Sequence, residues 1–478
     1  MAAETVLPRA SEPSFVKKVE IKSNKEGSID VANGIVTLNF YESMLQDTIK
    51  ATVVFNDAGD SIDGKTALDG LPIVGQEQVQ LEFEDNNGVS IGTTKKLIMY
   101  VNKVTPIIDE STKSMVKLDL VSKEYILNEK IRVAERFDGK VSDHIKKIYE
   151  EKTYFDNNSS EFPKDLDIEE TENTYNFIGN NRKPYYLLNW LSQKSQPVIE
   201  GATDQQKGTA GFITYETSDG FHFKSIDSLM DKEKNKFKKS LIYTNSAGEE
   251  IPAGYDMRIL EYDKDNAINA QEKLQLGAYD TRIVTFNPFD CYYEVITGSA
   301  DNTKGAQENA NSAASQPTKH AGKELPTMNE EFNRPGDRKN FSRTTYFYLD
   351  VGSLPGKPDS DGSGESIKTS TDEQLTKSKE ENFKYKSIVN QSVRRYNQLY
   401  SSKMTITIPG DFSLHIGNSL FVDVPMSSKE TNDDVNAEDG GLYIIVDLCH
   451  YLSAKGTYTK LNLVRDSVGR EGNHLQRS

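Results

Sequence analysis

The sequence has little of what disulfide frameworks and membrane spans require. Among 478 residues there are two cysteines, Cys291 and Cys449, and they lie too far apart in the chain to form a disulfide framework. We therefore expect folding in a reducing compartment. No stretch approaches the roughly eighteen apolar residues of a membrane span, and the N-terminus lacks a basic segment followed by an apolar run. Neither membrane insertion nor a secretory signal is predicted.

Positive charge is also in short supply. Lysine and arginine number 57 against 73 aspartates and glutamates, for a formal net charge of -16. Sequence-independent binding to nucleic acid needs basic side chains that displace counterions from phosphates. Sequence-independent binding to nucleic acid is therefore not expected, and no specific nucleic-acid binding is predicted.

Motifs of catalysis are missing as well. The chain has no HExxH zinc motif, no Gly-x-Ser-x-Gly elbow and no Gly-rich phosphate loop. Its many carboxylates show no spacing that selects a glycosidase pair. His222 and His450 fall inside predicted strands, where a structural role is expected. No catalytic, cofactor-binding or metal-binding residue and no cofactor is predicted, and we expect the protein not to be an enzyme.

One segment superficially suggests a calcium loop. Asp359, Asp361 and Glu365 alternate with small residues, but the twelfth position is Ser370, where a bidentate Glu is expected. A solvated linker is the predicted structure there.

What the chain does have is material for two to four domains. From Ser14 to Val121 apolar residues recur with a period of two, which predicts antiparallel strands and hairpins in a small barrel or sandwich. Two further strands are predicted at Leu97 to Val104 and Val116 to Val121. The alternating residues are Val36, Leu38 and Phe40 after Asn33-Gly34, and Val79, Leu81 and Phe83 before Asn87-Gly88.

A helix, loop and hairpin are predicted between Asn180 and Met230. Pro184 suits the first turn of a helix whose apolar residues are Leu187, Leu188, Trp190 and Leu191. Ser218-Asp219-Gly220 then predicts a turn between two strands. Upstream, Ser142 or Asp143 is predicted to cap a helix with Ile145, Ile148 and Tyr149 on its apolar face, followed by an acidic loop at 165–172. Residues 231–239 are predicted to be a solvated connector.

The middle of the chain alternates strands with polar stretches. Strands are predicted at Met257 to Tyr262, Thr281 to Ile296 and Thr344 to Val351. Ile283, Thr285, Tyr292 and Val295 are expected to be half-buried. The stretches 298–339 and 352–381 lack a core-forming pattern, so first proteolytic cuts are expected there.

The last hundred residues predict one helix and five strands. The helix covers Tyr385 to Tyr400, with Ile388, Val389, Val393 and Tyr396 at helical spacing. The strands are predicted at 404–410, 412–417, 420–424, 442–451 and 458–464. By alternation the inward residues are Met404, Ile406, Ile408, Leu420, Val422, Val424, Leu442, Ile444, Val446 and Leu448.

This C-terminal order resembles the closing module of baseplate hub proteins of contractile-tailed bacteriophages, whose relatives occur in contractile injection systems and type VI secretion spikes. The segments that carry the resemblance are Ile406-Thr-Ile-Pro-Gly410-Asp411, Leu414-His-Ile-Gly417, Val422-Asp-Val-Pro425, Gly441-Leu-Tyr-Ile-Ile-Val446, His450 and Leu461-Asn-Leu-Val-Arg-Asp466. The helix and hairpin between Asn180 and Met230 fit the same family.

The resemblance implies an α+β, mainly β fold: two tail-tube-like antiparallel β-barrel or sandwich domains plus an α/β domain and long polar insertions. The implied boundaries are 14–121 for the first tube-like domain and 239–266 with 385–465 for the second. The α/β domain would join 122–238 with 267–354 and carry the insertion at 298–339. Residues 355–384 would be a linker and 466–478 a C-terminal tail.

The same resemblance implies a structural role in the virion, at the tail baseplate, after assembly in the host cytoplasm. The protein would be a homotrimeric hub ring that adapts a six-fold tail tube to a three-fold spike. Its expected partners are its own copies, the central spike protein, the tail tube or tube-initiator protein and the surrounding wedge proteins, with DNA only passing through the lumen. The alternatives are a hub or spike adaptor of a contractile injection or type VI-like system, and a tail-associated cell-wall hydrolase.

Overall fold

The structure is a computed structural model, which describes residues 12–57, 65–71, 73–110, 113–198, 208–244, 251–265, 269–279, 281–287, 291–298, 331, 342–348, 385–426, 436, 438–467 and 469. Nearly all of the predicted insertion 298–339 lies outside the described residues. So do the stretch 352–381, the suggested calcium loop and most of the tail 466–478.

The described residues form strands and short helices in every part of the chain. The strands of the N-terminal part are β1 (Phe15–Lys22), β2 (Ser28–Asp30), β3 (Ile35–Ser43), β4 (Lys50–Asp57), β5 (Gln78–Glu84), β6 (Ser90–Ile91), β7 (Leu97–Glu110) and β8 (Lys113–Val121). Those of the central part are β9 (Arg136–Phe137), β10 (Asp165–Ile168), β11 (Phe177–Ile178), β12 (Phe212–Thr217), β13 (Gly220–Ser225), β14 (Lys239–Ile242), β15 (Met257–Arg258), β16 (Glu261–Asp265), β17 (Thr281–Asn287), β18 (Tyr292–Gly298) and β19 (Arg343–Tyr348). The C-terminal strands are β20 (Ser402–Pro409), β21 (Ser419–Asp423), β22 (Gly441–Ser453) and β23 (Gly456–Arg465). The helices are α1 (Ala67–Gly70), α2 (Lys123–Lys130), α3 (Val141–Glu150), α4 (Pro184–Ser192), α5 (Ile226–Met230), α6 (Ala270–Leu276) and α7 (Tyr385–Leu399).

The chain is mainly β, as the sequence predicted, and its largest sheet contains 15 strands. A continuous antiparallel run crosses this sheet in the order β16-β20-β23-β22-β3-β4-β8-β7-β5-β1-β2. At one side of the sheet β14 pairs in parallel with both β21 and β15. Two three-stranded sheets, β10-β13-β12 and β18-β17-β19, stand apart from it.

Buried side chains gather into three cores. The first core holds apolar residues of β1 to β8, together with Phe412 and Leu452 from the C-terminal part. The second core lies among β14 to β16 and β20 to β23, and also takes in Ile213 and Tyr215 from β12. The third core packs α3 and α4 against β12 and β13. The domain boundaries proposed above stay predictions.

Alternation predicted the first core well. Val79, Leu81 and Phe83 are fully buried on β5, while the intervening Gln80 and Glu82 are only half-buried. The predicted Asn87-Gly88 turn joins β5 to β6, and the N–H of Asp85 donates to the carbonyl of Val89 across 2.9 Å.

The prediction of a hairpin at Asn33-Gly34 is wrong. These residues belong to a 3-10 turn, Ala32–Gly34, that leads from β2 into β3. Strand β2 pairs with β1, whereas β3 pairs with β4 and β22. The Asn-Gly dipeptide therefore connects β2 to a strand that has different partners, instead of closing a hairpin.

The α3 helix buries the predicted Ile145, Ile148 and Tyr149, but its predicted cap is wrong. Lys140 occupies the N-cap, and Ser142 lies within the first turn, where its N–H donates to Thr171 Oγ1 at 3.0 Å.

The predicted acidic loop at 165–172 is also corrected. Its first part is strand β10, which pairs in parallel with β13. Because β13 forms a hairpin with β12, this parallel neighbour adds a third strand to the sheet above α3.

The helix and the hairpin predicted between Asn180 and Met230 are confirmed, whereas nearly all of the loop predicted between them lies outside the described residues. α4 begins at Pro184 and buries Leu187, Leu188 and Leu191, and Trp190 packs half-buried against the third core. β12 and β13 form the hairpin across Ser218 and Asp219.

Two predictions in the middle of the chain need correction. The single strand expected at Met257 to Tyr262 is divided between β15, which pairs with β14, and β16, which pairs with β20. In the hairpin of β17 and β18, Ile283 and Thr285 are buried, but Tyr292 and Val295 are exposed. Val295 lies on the face of the sheet opposite to Ile283 and Thr285, whereas Tyr292 lies on their face at the start of β18.

The C-terminal part has four strands, because Phe412 to Gly417 forms a loop. Carboxylates of the N-terminal sheet satisfy its backbone: the N–H of Phe412 donates to Asp85 Oδ2 at 3.0 Å, and that of Ile416 to Glu42 Oε2 at 3.2 Å. Side-chain alternation could not reveal these distant acceptors.

All ten residues predicted to face inward in the C-terminal strands are buried. Phe421, Tyr443 and Ile445, which the alternation placed outward, are buried as well. β21 and the first half of β22 are thus covered on both faces, which removes the polar side that alternation assumes.

The helix α7 is buried mainly through polar residues. Of its predicted apolar side chains Ile388 is buried, whereas Val389, Val393 and Tyr396 are half-buried. Arg395 lies fully buried and forms ion pairs with Asp466 Oδ2 at 2.7 Å and Asp227 Oδ1 at 3.0 Å. These charges tie α7 to α5 and to the end of β23.

No helix among the described residues is long and apolar enough to cross a membrane.

Candidate functional site

Strand β22 pairs with strands of both the N-terminal and the C-terminal β structure. Its first half, from Gly441 to Ile444, pairs with β21, and its second half, from Asp447 to Ser453, pairs with β3 through seven residue pairs. β23 accompanies it along the other edge. One strand therefore joins the N-terminal and C-terminal β structures into a continuous sheet.

The sheet contains the same four-strand arrangement twice. β3, β4, β7 and β8, named in chain order with α1, β5 and β6 between β4 and β7, lie side by side as β3-β4-β8-β7, which we call the first repeat. β16, β20, β22 and β23 lie side by side as β16-β20-β23-β22, the second repeat. In both repeats every pair is antiparallel and the third strand of the chain occupies the outer position.

The equivalence extends to irregularities. β22 has a bulge at Val446 against β23, and β7 has one at Asn102 against β8, with a second at Ile107 that has no counterpart in β22. Before the bulge, β22 pairs with β21 and β7 pairs with β5. After it, β22 pairs with β3, the first strand of the other repeat. The bulge thus marks where a strand leaves one neighbour and becomes available to another.

Two strand edges, one in each repeat, have no neighbouring strand of this kind among the described residues. Residues 102–110 of β7, beyond its bulge, pair only with β8. β16 pairs only with β20, although its counterpart β3 pairs on both sides. Unpaired edges of this length expose backbone N–H and C=O groups that another strand can bind.

One face of the continuous sheet carries polar side chains across six strands, from β16 to β4. A row of directly opposed residues crosses six strands: Glu261, Thr407, Lys460, Cys449, Tyr41 and Lys50. The next row is Asp263, Thr405, Asn462, Asp447 and Ser43. Basic and acidic side chains share this face, which contrasts with the acidic balance of the chain.

A buried carboxylate, Glu42, lies where β3 pairs with β22. Glu42, on β3, accepts the N–H of Ser218 at 2.9 Å and the N–H of Ile416 at 3.2 Å, and its Oε1 lies 3.1 Å from His415 Nδ1. These partners come from the β12–β13 turn and from the loop after β20. Glu42 therefore connects all three cores.

His415 lies between two carboxylates. Its Nε2 is 3.5 Å from Asp219 Oδ2 on the side opposite Glu42. Burial opposes a charged imidazole here, but the two carboxylates outweigh it and raise the pKa of His415 above its ordinary value.

A second charged junction lies between the first repeat and the third core. Lys164 Nζ is 2.5 Å from Glu124 Oε2 and 2.6 Å from Glu216 Oε1. Glu216 also accepts the Ser122 hydroxyl and the N–H of Ile49 at 3.2 Å. Burial, together with the neighbouring Glu124 and against the attraction of Lys164, raises the pKa of Glu216 to about 7.

A polar cleft of about 730 Å³ opens between the β12–β13 hairpin and the loop around Ile416. In its wall Asp167 contacts His222 Nδ1 at 3.3 Å and Lys224 Nζ at 2.6 Å. These hydrogen bonds, His222 first, lower the pKa of Asp167 to about 2. At neutral pH this carboxyl stays ionised and paired, which does not suit it to donate a proton as a general acid.

The residues singled out in the sequence occupy separate places. His222 lines the cleft, and its Nε2 is 3.0 Å from Thr217 Oγ1, whereas His450 is fully buried with Nδ1 3.0 Å from Thr459 Oγ1. Cys291 is exposed and Cys449 is half-buried on the polar face. Among the described residues, no group of three or more His, Cys, Asp or Glu side chains could hold a metal ion.

Sequence reasoning missed Glu42 and Glu216. A signal for Glu42 was available, because it continues the inward series of Leu38 and Phe40 with the same period of two, and an inward carboxylate requires buried partners. Glu216 carried no such signal, since all six residues of β12 are buried.

No family model matches the chain, and no curated protein matches it significantly. Solved structures do match its fold. They include a tail protein from Neisseria meningitidis, with a TM-score of 0.47 and 9% identity, covering 94% of this chain and 96% of that one. A 43 kDa tail protein of prophage MuSo2 from Shewanella oneidensis has a TM-score of 0.46 and 11% identity, covering 94% and 98%.

A third match is a component of the type VI secretion system of E. coli, described as similar in structure to tail proteins of bacteriophage T4. Its TM-score is 0.40 at 7% identity, and the match covers 96% of this chain and 80% of that one. Phage tail proteins and a type VI secretion component are thus among the solved structures to which this chain is similar.

Proposed function

We propose that the protein is the baseplate hub of a contractile phage tail, a homotrimeric ring that adapts a six-fold tail tube to a three-fold central spike. The observation that carries the proposal is the repeated four-strand arrangement with an unpaired edge at each end. Two repeats in a chain become six in a ring of three copies. Such a ring offers six similar units to a tube while keeping the three-fold symmetry of a spike.

The pairing of β22 with β3 within one chain is the template for the proposed pairing between chains. In the ring, residues 102–110 of β7 pair with β16 of the next copy, just as the second half of β22 pairs with β3. This contact is heterologous, because it joins two different edges, and heterologous contacts generate rings. It also removes both unpaired edges.

Aligning the repeats gives the register of this pairing. The opposed pair Cys449 and Tyr41 inside the chain corresponds to Thr105 of one copy and Asp265 of the next. The opposed pair Tyr451 and Asn39 corresponds to Ile108 and Asp263.

The polar face of the sheet lines the channel in this proposal. Its mixed charges include Lys117 with Asp119 at 3.3 Å and Lys403 with Asp265 at 3.6 Å. Lysines whose charge is matched by adjacent carboxylates attract phosphate weakly, so DNA passes through without being held.

The proposed partners are further copies of the chain, the tail tube or its initiator on one face of the ring, the spike on the other and the wedge proteins outside. The protein then belongs to the virion, in the tail baseplate, after assembly in the host cytoplasm. The proposal assigns it no catalytic activity, which separates it from a tail-associated cell-wall hydrolase. A hub of a type VI-like system would use the same ring, and the composition of purified particles distinguishes the two.

The test is the copy number in the assembled state. Native mass measurement of the protein alone and bound to its spike should give three copies. A ring of six copies, or a stable monomer within the assembled particle, contradicts the adaptor mechanism.

A further inference from the structure

The chain contains two Asn-Gly pairs, Asn33-Gly34 and Asn87-Gly88, and both asparagines are exposed. In such a pair the backbone nitrogen of the glycine can attack the side-chain Cγ of the asparagine and expel ammonia, which closes a five-membered cyclic imide. Glycine favours this attack because it has no Cβ to hinder it. Water then opens the imide at either carbonyl and leaves aspartate or isoaspartate. The overall reaction consumes one water and releases ammonia, so the fold alone decides which pair reacts.

The fold confines Gly34. Its N–H donates to the carbonyl of Val31 across 3.0 Å, within the 3-10 turn that leads into β3. A Cβ placed on Gly34 would lie 2.5 Å from the carbonyl oxygen of Asn56, so this backbone packs directly against β4. Ring closure at Asn33 requires the Gly34 nitrogen to leave its hydrogen bond and turn toward the side chain. The contact with Asn56 opposes that movement.

Gly88 has room to move. It is exposed in the turn between β5 and β6 with a φ of 82°, and a Cβ placed on it would meet no atom within 4 Å. Its N–H donates to the carbonyl of Asp85 across 3.2 Å, which is longer than the corresponding bond of Gly34. The Gly88 nitrogen can therefore leave its partner and reach the Asn87 side chain without displacing a neighbour.

The turn that contains Asn87 is connected to the C-terminal part of the chain through one carboxylate. Oδ1 of Asp85 accepts the N–H of Asn87 at 2.9 Å and that of Val89 at 2.8 Å. Oδ2 of Asp85 accepts the N–H of Phe412 at 3.0 Å. The Phe412 ring lies in the first core, 5.2 Å from the ring of Phe83. Asp85 thus fixes both the shape of the turn and the position of the loop that begins at Phe412.

We propose that Asn87 is a site of spontaneous deamidation, and that isoaspartate at this position loosens the contact between Asp85 and Phe412. Isoaspartate carries the backbone through its side chain, which lengthens the main chain by one methylene group. The N–H of Val89 is then displaced from Asp85 Oδ1. The former backbone carbonyl of residue 87 becomes a carboxylate on the residue whose own N–H binds Asp85.

The new carboxylate acts on Asp85 through its charge. Burial already raises the pKa of Asp85 above its ordinary value, and a second negative charge beside it favours the protonated form further. A protonated carboxyl accepts the N–H of Phe412 more weakly than a carboxylate does. The chain therefore loses a connection between its N-terminal sheet and its C-terminal loop as it ages. This inference is independent of the proposed hub.

The first test follows both asparagines in the purified full chain at pH 8.5 and 37 °C. Peptide mapping should detect aspartate and isoaspartate forming at least about tenfold faster at Asn87 than at Asn33. In urea, where both turns are unfolded, the two rates should agree within about threefold. Equal rates in the folded chain, or no reaction at Asn87 while the unfolded chain reacts, overturns the proposal.

The second test measures the consequence. Anion exchange separates the isoaspartate form, which carries an additional negative charge, and hydrogen exchange at the Phe412 amide should be at least about tenfold faster in it than in the unmodified chain. The amide of Leu187, in α4, should exchange equally in both forms. Asn87→Gln is the matched control, because its longer side chain would have to close a six-membered ring, and after the same incubation it should keep the unmodified rate at Phe412. Equal exchange at Phe412 in the two forms, or an equal loss of protection at Leu187, overturns the proposed coupling.

Discussion

The backbone N–H of Met44 donates to the carbonyl of Val446 across 2.9 Å, at the bulge where β22 passes from β21 to β3. Met44 directly follows the last residue of β3, so the two chain segments meet where the two repeats join. Its side chain enters the second core, while Phe412 and Leu452 of the C-terminal part enter the first. Each repeat is therefore completed by side chains of the other.

The proposed ring can be tested by a disulfide between copies. In a Cys291→Ser background, Thr105→Cys combined with Asp265→Cys should give covalent rings of three chains on non-reducing gels. The reason is that these positions correspond to the opposed pair Cys449 and Tyr41. The measurement is the yield of the three-chain species after mild oxidation.

A control for this cross-link is Thr105→Cys with Lys22→Cys, since Lys22 is an exposed residue of β1 that the proposal does not place near β7 of another copy. The proposed register is wrong if the test pair and the control pair cross-link equally. It is also wrong if three-copy rings form without any disulfide between positions 105 and 265.

Loss of the Lys164 ammonium should destabilise the fold strongly. Lys164→Met leaves Glu124 and Glu216 buried side by side without a counter-charge, and breaking a buried ion pair costs about 3–5 kcal/mol. The loss should be greatest at pH 8 and smaller at pH 5, where protonation of Glu216 relieves the repulsion.

Denaturant unfolding at the two pH values measures this effect. Lys95→Met is the matched control, because its ion pair with Asp165 is exposed and should contribute at most about 1 kcal/mol. Equal losses for both variants would show that the Lys164 cluster has no special role.

His415 should stabilise the joint in a pH-dependent manner. Its folded pKa is raised above its ordinary value, so its contribution is fully present below the unfolded pKa near 6.5 and is lost as pH rises through the higher folded pKa. At pH 6, His415→Asn should cost about 1–2 kcal/mol through lost charge-assisted hydrogen bonds. The difference in melting temperature between wild type and variant should shrink by pH 9, and a difference that grows with pH would contradict the assignment.

The protein should have no cell-wall hydrolase activity. The sequence contains no motif that selects a catalytic pair, and Asp167, in the cleft beside the β12–β13 hairpin, is held ionised by its partners. Purified protein should leave a cell-wall suspension turbid under conditions in which added lysozyme clears it. Clearing that a single Asp or Glu replacement abolishes would refute the structural role.

Local patterns predicted the elements whose partners lie nearby. Val79, Leu81 and Phe83 needed only the period of two and a neighbouring turn, and α4 needed only Pro184 and its apolar stripe. The C-terminal inward residues were found in the same way. Whether a residue is buried against a single core can be predicted from the pattern of its neighbours in the sequence.

Features that depend on distant partners could not be predicted. Phe412 to Gly417 has the alternation of a strand, but acceptors on Asp85 and Glu42 satisfy its backbone instead of a ladder. Tyr292 and Val295 have the composition of a covered strand, but Val295 lies on the face of its sheet opposite to the buried Ile283 and Thr285, and Tyr292 is the first residue of β18. The role of β22 in both repeats has no local signature at all, because it depends on where β3 lies.

The pairing of β22 with β3 joins residues about four hundred positions apart, as the contact of Ser43 with Asp447 illustrates. During synthesis, the edge of β3 therefore leaves the ribosome long before the strand that covers it. Until β22 has been synthesised, the nascent chain carries an open edge, and open edges promote aggregation. Truncation before Gly441 should leave that edge permanently open, so the C-terminal segment acts on the solubility of the N-terminal half.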